Sequence, residues 1–203
     1  VYGGGFDPPT IGHDHCLQAL LGAWADRVLI VPTGVAVHKQ ASRTPTDQRL
    51  AWCEAWAARY PKRAQVIDWE ITGTLSGYTA DRVAREHQHA TLAVAVGADQ
   101  FNLFHRWERG MEILDHAGLL VIPRGGVAVD LTYAHHLRRL GHQVILLDVE
   151  PVPASSTAVR RLLAAGDPAW RSLVTADVAK LIPVHPRRTR GGATCHLGQS
   201  RFD

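Results

Sequence analysis

Five short apolar runs punctuate the chain, at residues 27–31, 64–67, 92–96, 119–122 and 144–147. They are continuous stretches of Val, Ile, Leu and Ala rather than alternations. That is the pattern of strands covered on both faces, as in a parallel sheet. Three of them stop at a breaker: Pro32, Gly97 and Pro123. Helical periodicity fills the intervals at residues 12–25, 46–60, 79–87, 107–116 and 131–140, and returns after the last strand at 155–165 and 175–182. Ser155 stands where an N-cap belongs, and Gly166 follows where a helix should stop. Strand and helix in regular order predict an α/β protein with a doubly wound parallel sheet. Right-handed crossovers then gather the strand C-termini on one edge, where ligands bind. Val1-Tyr2 is too short for a first strand, which predicts either a curtailed strand or residues ahead of Val1. No internal repeat interrupts the series. Trp24, Trp52, Trp56, Trp69 and Trp170 read as core or helix-packing residues, with Trp52 and Trp56 one turn apart on a buried stripe.

Composition supports one ordinary domain: 203 residues, 46% hydrophobic and 20% charged. That excludes wholesale disorder. Three widely spaced cysteines, Cys16, Cys53 and Cys195, exclude a disulfide scaffold and predict reduced thiols in a cytoplasmic protein. No apolar run approaches the ~20 residues of a membrane span, and the chain starts inside a motif rather than in a signal peptide. Charge sharpens the division of the chain. Residues 187–203 hold Arg187, Arg188, Arg190 and Arg201 against Asp203, which accounts for the whole net charge of +3. Residues 1–186 are neutral. The basic character therefore lies in a Pro/Arg/Gly-rich tail at 187–203, expected to be flexible, and not on a face of the 1–186 domain. A nucleic-acid partner is disfavoured, because tracking phosphates needs clustered positive charge.

The most informative segment runs from Tyr2 to His13: Gly3-Gly4-Gly5-Phe6-Asp7-Pro8-Pro9-Thr10-Ile11-Gly12-His13. Glycines after a strand let backbone N–H groups approach a ligand, and the helix that opens near Gly12 offers free N–H groups and a dipole to phosphate. The dinucleotide fingerprint fails here, since Gly3 and Gly5 are followed by Pro8, and no Gly-Lys-Ser/Thr of a P-loop exists. Thr10 and His13, three apart, share one face of the first turn. Gly12 between them would leave room for a nucleotide. At the far end of the chain, Ser155-Ser156-Thr157 opens another helix, with Arg160 one turn on. Its guanidinium fork suits a pair of phosphate oxygens.

These two segments resemble the nucleotidyltransferase superfamily marked by His/Thr-x-Gly-His and Ser-Ser/Ala-Thr-x-x-Arg. Within it the chain is similar to the bacterial nicotinate-nucleotide adenylyltransferases from Gly3 to about Ile182. The resemblance implies a Rossmann-like fold and transfer of AMP from ATP to nicotinate mononucleotide with release of pyrophosphate, for NAD synthesis. It implies His13, Thr10, Lys39 and Arg160 as catalytic residues. Gly4, Gly5, Phe6, Gly97, Asp99, Ser156, Thr157 and Arg160 would bind ATP, with Asp99 of Gly97-Ala98-Asp99 on nucleotide hydroxyls or, on the plainer reading, capping the next helix. Tyr78 and Thr79, Trp107 as a stacking plate and Arg124 would hold the pyridine mononucleotide. The chain departs from the family pattern at Val37 and Gly125, where proline is usual, and at Gly77, where serine is common. Arg49 reads as an interior structural arginine.

Twelve histidines suggest a metal site, but His13/His15, His87/His89 and His135/His136 lack a third ligand at a zinc spacing. Mg²⁺ is expected instead, carried on the triphosphate and mostly water-bound, with no protein metal site. The expected partners are ATP and a pyridine mononucleotide; a homo-oligomer is left open. Three rivals remain: the same chemistry on nicotinamide mononucleotide or another phosphate ester, an oxidoreductase binding a finished dinucleotide, and a non-enzymatic protein using its tail on nucleic acid.

Overall fold

A computed structural model describes residues 1–34, 44–72 and 76–183, with side chains from residue 79 in the last stretch. Its centre is a six-stranded parallel sheet: β1 (Tyr2–Gly4), β2 (Val28–Pro32), β3 (Ala64–Val66), β4 (Ala93–Gly97), β5 (Gly118–Ile122) and β6 (Val144–Leu146). The strand order is β3-β2-β1-β4-β5-β6. Every pairing is parallel. This is the doubly wound, Rossmann-like order the sequence predicts. The glycine-rich start of the chain is itself a strand, β1, at the middle of the sheet, with Tyr2 opposite Ile30 on one side and Ala95 on the other. Its register is fixed by neighbours rather than by its own apolar content.

Continuous apolar runs find two covered faces. Along β2, Val28 and Ile30 join one cluster while Leu29 and Val31 join another. Along β5, Leu120 and Ile122 point one way, and Leu119 and Val121 the other. On the first face lie α1 (Ile11–Ala23), α2 (Thr46–Ala57), α7 (Ser156–Ala165) and α8 (Ala176–Leu181), through Leu17, Leu20, Trp52, Trp56, Val159 and Val178. On the other face lie α3 (Ser76–Glu86), α4 (Ala98–Phe101), α5 (Gly110–Ile113) and α6 (Leu131–Arg139), through Ala80, Phe101, Ile113, Ala134 and Leu137.

Two expectations are corrected. The helix expected at 107–116 shrinks to the single turn of α5, and α4 and a 3-10 turn at Phe104–Arg106 precede it. Arg109 interrupts the pattern in the left-handed region at φ 56°. Trp24 is 47% exposed beyond the end of α1 and is not core, whereas Trp52, Trp56 and Trp170 are buried. Trp69 is half-buried, with the Arg82 guanidinium 3.7 Å from its ring. Lys39, Val37 and the tail at 187–203 lie outside the described residues, as does the side chain of Tyr78.

Candidate active site

The strand order reverses between β1 and β4, so the loops after these two strands flank a crevice at the carboxyl edge of the sheet. The loop after β1 leads into α1, whose N-cap is Thr10, 1% exposed. Thr10 and His13 form a reciprocal cap. The Thr10 Oγ1 accepts from the His13 N–H at 3.4 Å, and the Thr10 N–H donates to His13 Nδ1 at 3.0 Å. Imidazole here does what a glutamate does in the usual capping box. A donor aimed at Nδ1 makes that nitrogen an acceptor, so the neutral ring carries its proton on Nε2. The tautomer follows from the surrounding donors. Phe6 backs the ring edge-on, 5.2 Å between centroids and 80° between planes, and Trp56 stands behind Phe6 at 5.3 Å.

Three hydrogen bonds tie this turn to the start of α7. Thr10 Oγ1 donates to the Ala154 carbonyl at 3.1 Å. Ser156 Oγ donates to the Pro8 carbonyl at 2.8 Å. Arg160 Nη1 donates to the Asp7 carbonyl at 2.6 Å, with the Asp7 carboxylate 3.6 Å away. Arg160 also reaches the Thr157 hydroxyl at 3.3 Å. Residues 144 to 153 apart in sequence thus meet at two adjacent helix beginnings. Ser155 caps α7 by accepting from the Ala158 N–H, and Gly166 ends it in the left-handed region, both as expected.

Gly12 has a different reason from the expected one. A Cβ there would lie 3.0 Å from the Ala154 carbonyl and 3.2 Å from that of Val152. Its missing side chain admits the protein's own 152–154 segment, not a nucleotide. Gly5 does face open space, since an added Cβ would meet nothing within 4 Å, while the Phe6 ring fills the space beside Gly4. Phe6 itself is 1% exposed and adopts φ 40°, and its ring packs into the core rather than into the crevice.

Across the crevice, Gly97 rather than Asp99 is the N-cap of α4. Asp99 receives Arg124 Nη1 on both oxygens, at 2.9 and 3.0 Å. Thr79 is buried in the first turn of α3, and Trp107 is half-buried against Phe104 at 5.2 Å. A cavity of about 250 Å³ lined by Leu92, His116, Gly118, His142 and Gln143 sits at the opposite, amino edge of the sheet and takes no part in the crevice. Among the described residues, no three His, Cys, Asp or Glu side chains converge as metal ligands.

The model of the cytidylyltransferase-like family matches residues 1–162. The chain belongs to that family. The probable nicotinate-nucleotide adenylyltransferase of Symbiobacterium thermophilum is 31% identical, over 94% of this chain and 95% of its own. Its namesake in Aeromonas salmonicida is 32% identical, over 90% and 92%. Among solved structures, Plasmodium falciparum nicotinic acid mononucleotide adenylyltransferase complexed with NaAD superposes with a TM-score of 0.73. It covers 89% of this chain and 92% of its own at 17% identity, a likeness of fold.

Two buried side chains of this cytidylyltransferase-like chain hold the site without a motif to announce them. Arg49, 3% exposed, donates to the carbonyls of Gly5 at 2.9 Å and Thr33 at 2.8 Å, pinning the loop after β1 to the loop after β2. Burial lowers its pKa, against the opposing pull of Asp7. It is the interior structural arginine the sequence suggests. Asp14, 6% exposed, was not expected. It accepts from Trp56 Nε1 at 2.8 Å, Tyr60 Oη at 2.7 Å and Gln18 Nε2 at 3.0 Å, and pairs with Arg59 at 3.5 Å. The available signal was its position, in register with Leu17 and Leu21 on the inward stripe of α1, where an unpartnered charge would be costly.

Proposed function

We propose that the chain is a nicotinate-nucleotide adenylyltransferase: it moves AMP from ATP to nicotinate mononucleotide and releases pyrophosphate. One observation carries the reading, the joining of the Thr10/His13 turn to the Ser156/Arg160 turn over a crevice at the sheet's switch point. The attacking atom is a 5′-phosphate oxygen of the mononucleotide, already ionised at neutral pH, so no general base is assigned. It displaces pyrophosphate from the α-phosphorus: one P–O bond forms as another breaks. Catalysis comes from alignment and from neutralising charge on the α-phosphate and the leaving group.

In this reading His13 offers Nε2–H to a phosphate oxygen, and the cap on Nδ1 keeps that proton where it is needed. Thr10 holds the turn and the first N–H groups of α1 in place. Thr157 and Arg160 meet the triphosphate from the other side, Lys39 adds positive charge, and Ser156 latches the two turns together. Gly4, Gly5 and the Phe6 backbone line the path, and Asp99 at Gly97 takes nucleotide hydroxyls once Arg124 turns to its own ligand. Trp107, Tyr78 and Thr79 bind the pyridine. The cationic and hydroxyl-bearing lining suits phosphate oxygens better than a bare divalent cation, so Mg²⁺ enters as the ATP complex. Free thiols at Cys16 and Cys53 fit a reducing, cytoplasmic site of action.

The test is pyrophosphate release with MgATP and either nicotinate or nicotinamide mononucleotide. Faster turnover with the acid is expected. Release with neither acceptor would refute the reading, and preference for the amide would reassign the acceptor.

A further inference from the structure

Asp81 lies on α3, one turn beyond Tyr78 and two residues after Thr79. Its carboxylate bridges three elements. His116 Nε2, where the chain turns into β5, lies 2.9 Å from Oδ1. Oδ2 lies 3.8 Å from Arg109 Nη2. Arg109 is two residues from Trp107 and is held in turn by Glu112, to which its Nε donates at 2.8 Å.

The turn it braces is tightly built. Arg109 occupies the left-handed region at φ 56°, uncommon for any residue but glycine. At Gly110, an added Cβ would fall 2.9 Å from the Phe104 carbonyl and 3.0 Å from the Trp107 Cβ. The Trp107 ring leans on Phe104. Below the carboxylate, Ala80 on α3 shares a buried cluster with Phe104 and Ile113. So α3 and the Trp107 turn share an apolar floor, and a single carboxylate spans them above it.

We infer that Asp81 is a positioning residue for the pyridine mononucleotide, setting the distance between the first turn of α3 and the Trp107 ring. The inference rests on the acceptor site proposed above. A flat ring held between two walls is sensitive to their spacing, because stacking falls away within fractions of an ångström. Asp81 touches neither substrate; it acts through Arg109 and the turn that carries Trp107.

The test compares Asp81→Ala, Trp107→Ala and the double variant by steady-state pyrophosphate release, varying each substrate in turn. Asp81→Ala should raise the KM for nicotinate mononucleotide ~10-fold, with the KM for ATP and kcat within about threefold. In the Trp107→Ala background the same substitution should move that KM less than about twofold, because the wall it positions is gone. Asp81→Asn, which keeps an acceptor for His116 but loses the charge on Arg109, should raise it ~3-fold and serves should the alanine variant fail to fold. Equal changes in both KM values, no change, or full multiplication of the Asp81 effect in the Trp107→Ala background would overturn the inference. Should Trp107→Ala leave the mononucleotide KM unmoved, the acceptor site itself falls; should Trp107→Ala raise it and the Asp81 variants not, only the inference falls.

Discussion

Substituting Gly12 by alanine probes the junction of the two helix beginnings with a single methyl group. The new Cβ would sit 3.0 Å from the Ala154 carbonyl and 3.2 Å from that of Val152. Both neighbours are backbone, so neither can rotate away, and the 152–154 segment must retreat by a few tenths of an ångström. Two effects then oppose each other in stability. Replacing glycine in a helix gains up to ~1 kcal/mol. Overpacking against a fixed wall costs ~1–3 kcal/mol. The net loss is at most about 3 kcal/mol, a fall in Tm of under ~12 °C for a chain of this size. Activity should suffer more. The retreat stretches the 3.1 Å bond from Thr10 to Ala154 and parts His13 from Arg160. An ångström of misplacement can cost ~10²-fold, so a few tenths should lower kcat by ~10-fold. Gly22→Ala on the same helix is the control. Its Cβ would meet nothing within 4 Å, so it should stabilise by ~0.5–1 kcal/mol and leave kcat unchanged. Thermal melts and pyrophosphate release on both variants decide the matter. A Gly12→Ala protein that turns over at the wild-type rate would refute the reasoning, as would an equal loss in Gly22→Ala.

Arg49→Met should strand the carbonyls of Gly5 and Thr33 away from their donor and cost ~2–4 kcal/mol, read by urea denaturation; a loss below ~1 kcal/mol would show these bonds to be replaceable. Trp56→Phe keeps most of the ring but deprives Asp14 of its Nε1 donor, for a loss of ~1.5–3 kcal/mol in the same assay. Burial pushes the Cys53 thiol up to about 12, so its thiolate is scarce at pH 8. Alkylation of the folded protein at Cys53 should run ~10³-fold slower than in the unfolded chain, followed by mass spectrometry. Because the folded pKa lies above the unfolded one, this thiol disfavours the fold as pH rises through 9 toward 12, and stability should decline across that window.

The sequence made the sheet legible where strands are apolar throughout, since β2, β4 and β5 are buried on both faces and their composition says so. It offered β1 only as a curtailed strand, because Gly3 and Gly4 carry no β signal and their place is set by pairing with Val31 and Pro32. It misread 107–116 because the apolar spacing there is helical, while Arg109 in the left-handed region keeps the helix from starting before Gly110. Trp24 misled in the opposite way: a large ring past a helix end had nothing to pack on. The phosphate turns were readable from hydroxyls, glycines and a guanidinium at helix starts. What holds them was legible only in Arg49, because Asp14 reaches Trp56 and the carbonyls of Asp7, Pro8 and Ala154 reach their donors across 42 to 153 residues, which no local pattern encodes.

Catalysis as proposed turns on the His13 imidazole, capped on Nδ1 by the Thr10 N–H and donating from Nε2 to a phosphate that Arg160 also meets. Turnover of a folded His13→Ala variant under saturating MgATP and nicotinate mononucleotide measures this most directly. Loss of ~10²-fold or more in kcat, of the order lost with one preorganised donor, is the predicted result; pyrophosphate released at the wild-type rate would contradict it.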